Sequence, residues 1–154
     1  MSSNNEKLQI TLSKLKGLPA WGLVRTYGSM FFLEVGNPLP RIGEKKIHGE
    51  WHFLIEMCDW RVESPDGTLV ASGDEPSCID NVFSSLELGV FTAAKAQSPS
   101  HELDLIFSSG IRLKTFSQTG SPGDRWTQWQ LYDPEDYVWA VDEQGALIHE
   151  NAHQ

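Results

Sequence analysis

The chain has 154 residues and a formal net charge of −9, from 12 Lys and Arg against 21 Asp and Glu, with 40% apolar residues, six Trp, seven Phe and three Tyr. That apolar content predicts a packed core and excludes a disordered chain, and the acidic balance argues against nucleic-acid and anionic-membrane partners, which clustered Lys and Arg hold. The length fits one domain spanning 1–154, no apolar run is long enough for a membrane span, and the polar start from Met1 to Lys7 predicts no secretory signal. A cytoplasmic location is the expectation, with Cys58 and Cys78 as free thiols.

Taken in chain order, Leu8, Leu12 and Leu15 form an i, i+4, i+7 stripe that predicts a helix ending at Gly17, although Ile10 lies off the stripe and leaves a strand at 9–12 open. Trp21 to Thr26 and Met30 to Val35 read as strands around the glycine-containing turn Tyr27-Gly28-Ser29. Asn37 to Gly49 reads as a loop. Trp51 to Val62 is a long strand expected to bulge or break near Cys58-Asp59, because it exceeds the usual length. Ser64-Pro65-Asp66-Gly67 is a turn that returns Leu69 to Ser72 onto it. Ile79, Val82, Phe83 and Leu86 then predict a second helix, with Ser77 as N-cap, Asp80 near its positive end and Gly89 as its stop. Six further strands follow: Val90 to Ala96, Leu103 to Phe107, Ile111 to Phe116, Trp126 to Tyr132, Tyr137 to Val141 and Ala146 to Ile148, with a loop from Ser117 to Asp124.

The order of these elements is given twice. Residues 15–76 and 86–151 each run from a Leu and Gly pair (Leu15 and Gly17, Leu86 and Gly89) through an apolar run closed by glycine and a Trp-led strand to a glycine-turned hairpin. In this reading Phe31 to Gly36 answers Leu103 to Gly110, Trp51 to Met57 answers Trp126 to Tyr132, and Gly67 to Val70 answers Gly145 to Ile148. The expected fold is therefore α+β, mainly antiparallel, as two sheets sharing a core or a partly open barrel, with two helices and an internal pseudo-twofold duplication.

The candidate chemistry is sparse. His48, Glu50 and His52 alternate on one strand, so they share a face, and imidazole and carboxylate are transition-metal ligands. A further ligand must come from elsewhere, since Glu56 and Cys58 lie too far along a regular strand, and alternation with Trp51, Phe53, Ile55 and Met57 in the core explains the same residues without a metal. No nucleophile elbow, Walker loop, Rossmann fingerprint or CxxC pair is present, so no catalytic residue and no cofactor are assigned. Trp126 and Trp129 lie an odd number apart, which turns one of them outward as a possible interface anchor. No Lys or Arg follows Arg125, and Asp133, Glu135 and Asp136 belong to an acidic stretch that would attract a basic partner or serve solubility alone.

Leu18-Pro19-Ala20-Trp21-Gly22, Tyr27-Gly28-Ser29, Glu34-Val35-Gly36, Trp51-His52-Phe53-Leu54-Ile55 and Cys58-Asp59-Trp60-Arg61 together resemble small uncharacterised bacterial proteins, some placed near toxin-immunity loci. The resemblance implies a bacterial cytoplasmic protein with no established activity that would neutralise another protein, and the acidic C-terminal half makes the expected partner a basic protein such as a toxin, which leans the reading towards an interaction module rather than an enzyme. It brings no motif of assigned chemistry. The alternative is a small-molecule or metal-binding domain, or an enzyme, using the cleft between the repeats. Homodimerisation through a sheet edge is compatible with either.

Overall fold

The computed structural model describes residues 3–40, 43, 47–118, 120–121 and 123–152. Among these the chain runs α1 (Asn4–Ser13), β1 (Pro19–Arg25), β2 (Phe31–Leu39), β3 (His48–Ile55), β4 (Asp59–Ser64), β5 (Gly67–Ala71), α2 (Pro76–Ser85), β6 (Gly89–Gln97), β7 (Glu102–Phe107), β8 (Arg112–Phe116), β9 (Thr127–Tyr132), β10 (Tyr137–Asp142) and β11 (Leu147–Asn151). The strands are hydrogen-bonded in the order β11-β10-β9-β3-β2-β1-β6-β7-β8-β4-β5, which does not close. Every pairing is antiparallel. None of the described helices is long and apolar enough to cross a membrane.

The helices follow from local signals. Ser3 Oγ accepts from the Glu6 N–H at 3.2 Å and caps α1, whose Leu8 and Leu12, with Leu15 just beyond, are fully buried. In α2 the first residue is Pro76, whose missing N–H is no loss at that position, and Ile79 and Phe83 are its buried residues. Glu75, not Ser77, occupies the N-cap and makes no side-chain cap bond. The helix stops at Ser85, four residues before Gly89, because Leu86 has an extended backbone. Arg25 ties α2 to β1 through two bonds to Asp80, of 2.8 and 3.0 Å.

The long strand expected over 51–62 does break: β3 ends at Ile55 and β4 begins at Asp59. Cys58 is buried in the break, its Sγ 3.4 Å from the Gln128 carbonyl, and burial pushes its thiol up to about 12. Both cysteines are free, with Cys78 exposed. The expected loop over 37–49 is shorter than the sequence suggested, since β2 runs on to Leu39 and β3 starts at His48 across a bulge after Val35. Residues 41, 42, 44–46, 119 and 122, parts of the two expected loops, lie outside the described residues.

The sheet curls until distant strands meet: Phe31 of β2 packs edge-on against Trp60 of β4 at 4.9 Å and against Phe83 of α2 at 5.2 Å. One apolar cluster joins all these elements. Its pairing is symmetric about the β1–β6 junction, where Pro19 faces Val90 and Ala20 faces Gly89. On one side lie β1, β2, β3, β9 and β10, with β11 beyond them and without a counterpart; on the other lie β6, β7, β8, β4 and β5. Leu33 faces Phe53 as Leu105 faces Leu113, Phe53 faces Leu131 as Leu113 faces Val62, and Ile55 faces Trp129 as Thr115 faces Trp60. Trp60 Nε1 donates to the Ser29 carbonyl at 2.8 Å, in the turn before β2, and Trp129 Nε1 to the His101 carbonyl at 2.9 Å, in the turn before β7. These registers set Trp60 against Trp129, whereas the sequence order had set the Trp51 strand against the Trp126 strand.

Candidate functional site

Apart from the added β11, the two sides differ in the connection between their second and third strands. Val35 pairs with Trp51, whereas the Phe107 N–H meets the Ile111 carbonyl across the short turn Ser108 to Gly110, so the β2–β3 connection is twelve residues longer than the β7–β8 connection. The extra length starts at a bulge that needs glycine twice. Gly36 has φ +83, a conformation that costs a residue with a Cβ. Gly49 lies so close to β2 that a Cβ there would stand 2.3 Å from the Val35 carbonyl oxygen. Trp21 Nε1 donates to the Gly36 carbonyl at 2.7 Å, and Glu50 Oε1 accepts the Asn37 N–H at 2.8 Å, which holds the bulge in place.

This approach brings Glu34 into play. Its side chain points to the outer face of β2 between the inward Leu33 and Val35, yet the residue is only 4% exposed because β3 folds over it. One carboxylate oxygen accepts the Gly49 N–H at 2.9 Å, and the other lies 2.9 Å from His48 Nδ1. The His48 Nδ1 and this carboxylate oxygen are thus close enough to share a proton, and a metal ion held by both would take that proton's place. The His48 ring stacks on His52, centroids 4.5 Å apart and planes 25° apart, and His52 stacks on Tyr132 at 4.5 Å and 16°. Phe32 packs on both histidines, at 5.2 and 5.9 Å. A donor atom from each of Glu34, His48 and His52 lies within 4.8 Å of the other two.

Of the three residues singled out on the sequence, His48 and His52 meet and Glu50 stands apart, holding the bulge; Glu34 takes the carboxylate position. Tyr132, from β9 opposite His52, closes the row. Its hydroxyl donates to Gln130 Oε1, Gln130 Nε2 donates to Glu56 Oε1 at 2.8 Å, and Thr127 donates to the same oxygen. Burial first, and then the Glu56 charge, raise the Tyr132 phenol above its ordinary value, so it stays a donor. The sequence signal for Glu34 was a lone acid inside the apolar run Phe31 to Val35; nothing local marked Tyr132.

Beside Glu34 and His48 opens a cavity of about 230 Å³ walled by Trp21, Val24, Phe32 and Ile47. The donor set, two imidazoles and a carboxylate, suits a first-row divalent ion such as Zn²⁺. Tetrahedral ligands at about 2.0–2.2 Å from zinc lie roughly 3.3 Å from one another, and the three donor atoms, within 4.8 Å of each other with His48 Nδ1 and Glu34 at 2.9 Å, bracket that spacing.

The residues considered as partner contacts are placed differently. Trp129 is 1% exposed and carries core packing, so it offers no anchor. Trp126 precedes β9, half-buried, and Gly120 packs so tightly on its ring that a Cβ there would stand 2.5 Å away. Asp133 Oδ1 accepts the N–H groups of Glu135 and Tyr137 at 2.8 and 3.0 Å, which makes it a turn builder, and Asp136 holds φ 65 in the same turn, where Glu135 is exposed. No family model matches the chain, and neither a curated protein nor a solved structure matches it significantly. The immunity-type resemblance therefore rests on the sequence residues alone.

Proposed function

We propose that this protein binds one divalent transition-metal ion on the outer face of its sheet, through His48, His52 and Glu34, with Tyr132 and Phe32 as the aromatic walls of the site. The observation that carries this reading is the broken symmetry. Position for position in the paired strands, Ile106 stands where Glu34 stands and Arg112 where His52 stands, and the short β7–β8 turn has no counterpart of His48. The frame folds in one half without any of the three, so their convergence in the other is not a requirement of the core.

The matched registers and the matched indole hydrogen bonds support a duplicated ancestry in which two copies exchanged their β4–β5 and β9–β10 hairpins, with the metal site added to the first copy by the longer connection. The two free thiols favour a reducing compartment, in keeping with a cytoplasmic protein. An interaction role through the acidic C-terminal segment draws less support, because Asp133 and Asp142 each engage a carboxylate oxygen with two turn N–H groups.

Zinc titration of the purified chain, read by native mass spectrometry and by the imidazole proton resonances, tests the site. One bound ion with shifts at His48 and His52, weakened by at least tenfold in His52→Ala, is the expected result. Shifts spread over His101 and His149 as well, or equal binding in His52→Ala, would remove the proposal.

A further inference from the structure

The cavity beside the three donors is apolar where the matching half of the frame is small or charged. Trp21 of β1 lies directly opposite Glu34, and Val24 lies opposite Phe32, whose other neighbour is Leu54 of β3. The same positions in the second half are Ala93 opposite Ile106, and Lys95 opposite Asp104 with Lys114 beyond it. Ile47, in the longer β2–β3 connection, has no counterpart. The four walls Trp21, Val24, Phe32 and Ile47 are thus departures confined to the half that holds the donors. Val24 and Ile47 are 44% and 54% exposed, so they do not serve the core, and clustered apolar groups on an outer face mark a binding surface.

Glu34 and His48 belong both to the donor cluster and to the cavity wall, whereas His52 and Tyr132 do not border the cavity. Three protein donors leave a tetrahedral ion such as Zn²⁺ one short, the arrangement of zinc sites that take up a water or substrate rather than brace a fold. Two neutral imidazoles and one carboxylate also leave that ion with positive charge in excess. Among the described residues bordering the cavity none is Lys or Arg, and the one charged side chain is the Glu34 carboxylate. An anion therefore has no hold there except through the metal.

We infer, on the basis of the metal site proposed above, that the ion's fourth coordination position opens into this cavity and takes a small apolar monocarboxylate, its carboxylate on the metal and its hydrocarbon part among Trp21, Val24, Phe32 and Ile47. The cavity, about 230 Å³, is larger than the roughly 150 Å³ apolar cavity that encloses benzene, so one ring or a branched chain of that size fits. The Trp21 N–H is engaged by the Gly36 carbonyl at 2.7 Å, which leaves the indole to offer the ligand apolar ring surface. The bound carboxylate cancels the excess charge of the ion in an apolar surround, where an unbalanced charge is most unfavourable, and burial of the hydrocarbon part adds to the hold.

The test uses the full chain. Zinc is loaded first and its binding read by native mass spectrometry; absence of a bound ion would overturn the metal site and this ligand with it. Benzoate, acetate and benzyl alcohol are then titrated into zinc-loaded and zinc-free protein at matched ionic strength, with amide and indole NMR shifts as the readout. In the zinc-loaded chain benzoate should give saturable shifts at Trp21, Val24, Phe32 and Ile47, at least tenfold tighter than acetate, and in the zinc-free chain none. Val24→Ser and Ile47→Ser, both at exposed positions, should each narrow the gap between benzoate and acetate by at least fivefold. Zinc bound but benzoate no tighter than acetate, equal benzoate binding without zinc, or an unchanged gap in both variants would overturn the ligand and leave the metal site standing; tighter benzyl alcohol than benzoate would overturn the carboxylate.

Discussion

Two outer faces of one frame carry unlike rows. On β1, β2, β3 and β9 the row is Val24, Phe32, Leu54 and Gln130; on β6, β7, β8 and β4 the matching row is Lys95, Asp104, Lys114 and Arg61. One row further, Glu34, His52 and Tyr132 are matched by Ile106, Arg112 and Glu63. Inward, by contrast, the two halves largely agree in kind, with a buried tryptophan in each hairpin, the exception being Thr115, which stands where Ile55 stands and accepts the Leu103 N–H. Packing density in the core tolerates little change, whereas an outer face is bound only by pairing and solubility, so the two faces were free to take on different chemistry.

The inner agreement can be broken first. Trp60→Ala and Trp129→Ala should each cost about 3–5 kcal/mol in equilibrium urea unfolding, and the two values should agree within about 1 kcal/mol. A loss below 1 kcal/mol at one position with a large loss at the other would mean that the matched registers do not reflect matched packing. Next in size, Gly49→Ala should cost about 2–3 kcal/mol, because its Cβ meets β2 backbone that cannot yield. Its counterpart in the tight turn, Ser109→Ala, should stay within about 0.5 kcal/mol.

The difference in chemistry can be sharpened by transplanting it. In the double variant Ile106→Glu with Arg112→His, two of the three donors are copied into the second half, but the short turn supplies no third; zinc stoichiometry by native mass spectrometry should stay at one. Glu34→Gln should lower zinc affinity by at least about tenfold, as expected when a charged carboxylate ligand is replaced by a neutral amide. The smallest effect concerns acid. The Arg112 hydrogen bonds hold the Asp104 carboxyl below the usual carboxylate range, so its folded-state value lies beneath its unfolded one. The pair therefore stabilises at pH values above the ordinary carboxylate range and loses that contribution as pH falls through the folded value. Wild type should exceed Asp104→Asn by about 0.2–1 kcal/mol at pH 6, the scale of a surface ion pair, and the gap should close towards pH 3.

Much of this was legible along the chain. The leucine stripe, the Ile79 to Leu86 stripe and the Pro65-Asp66-Gly67 turn are local signals, and two helices and a turn lie there, although the helices end at Ser13 and Ser85, short of Gly17 and Gly89, and the second begins at Pro76 with Glu75, not Ser77, at its N-cap. The alternation at His48 to Ile55 correctly sorted Trp51, Phe53 and Ile55 inward and the histidines outward. Met57 escaped that alternation and is 46% exposed, because the strand stops at Ile55. Glu50 was the natural third donor by spacing, yet a bulge draws it to the Asn37 N–H, and bulges follow from how two strands meet.

The sequence by itself determined where most strands, helices and turns lie and which face of most of them is apolar, though not their exact ends, since turn chemistry and side-chain periodicity act over a few neighbours. Tertiary structure alone decided that Glu34 joins His48 and His52, that Tyr132 closes their row and that Trp60 answers Trp129. Those choices depend on which strand lies beside which, and strand order is set by the burial of one shared core across segments up to eighty residues apart in the chain.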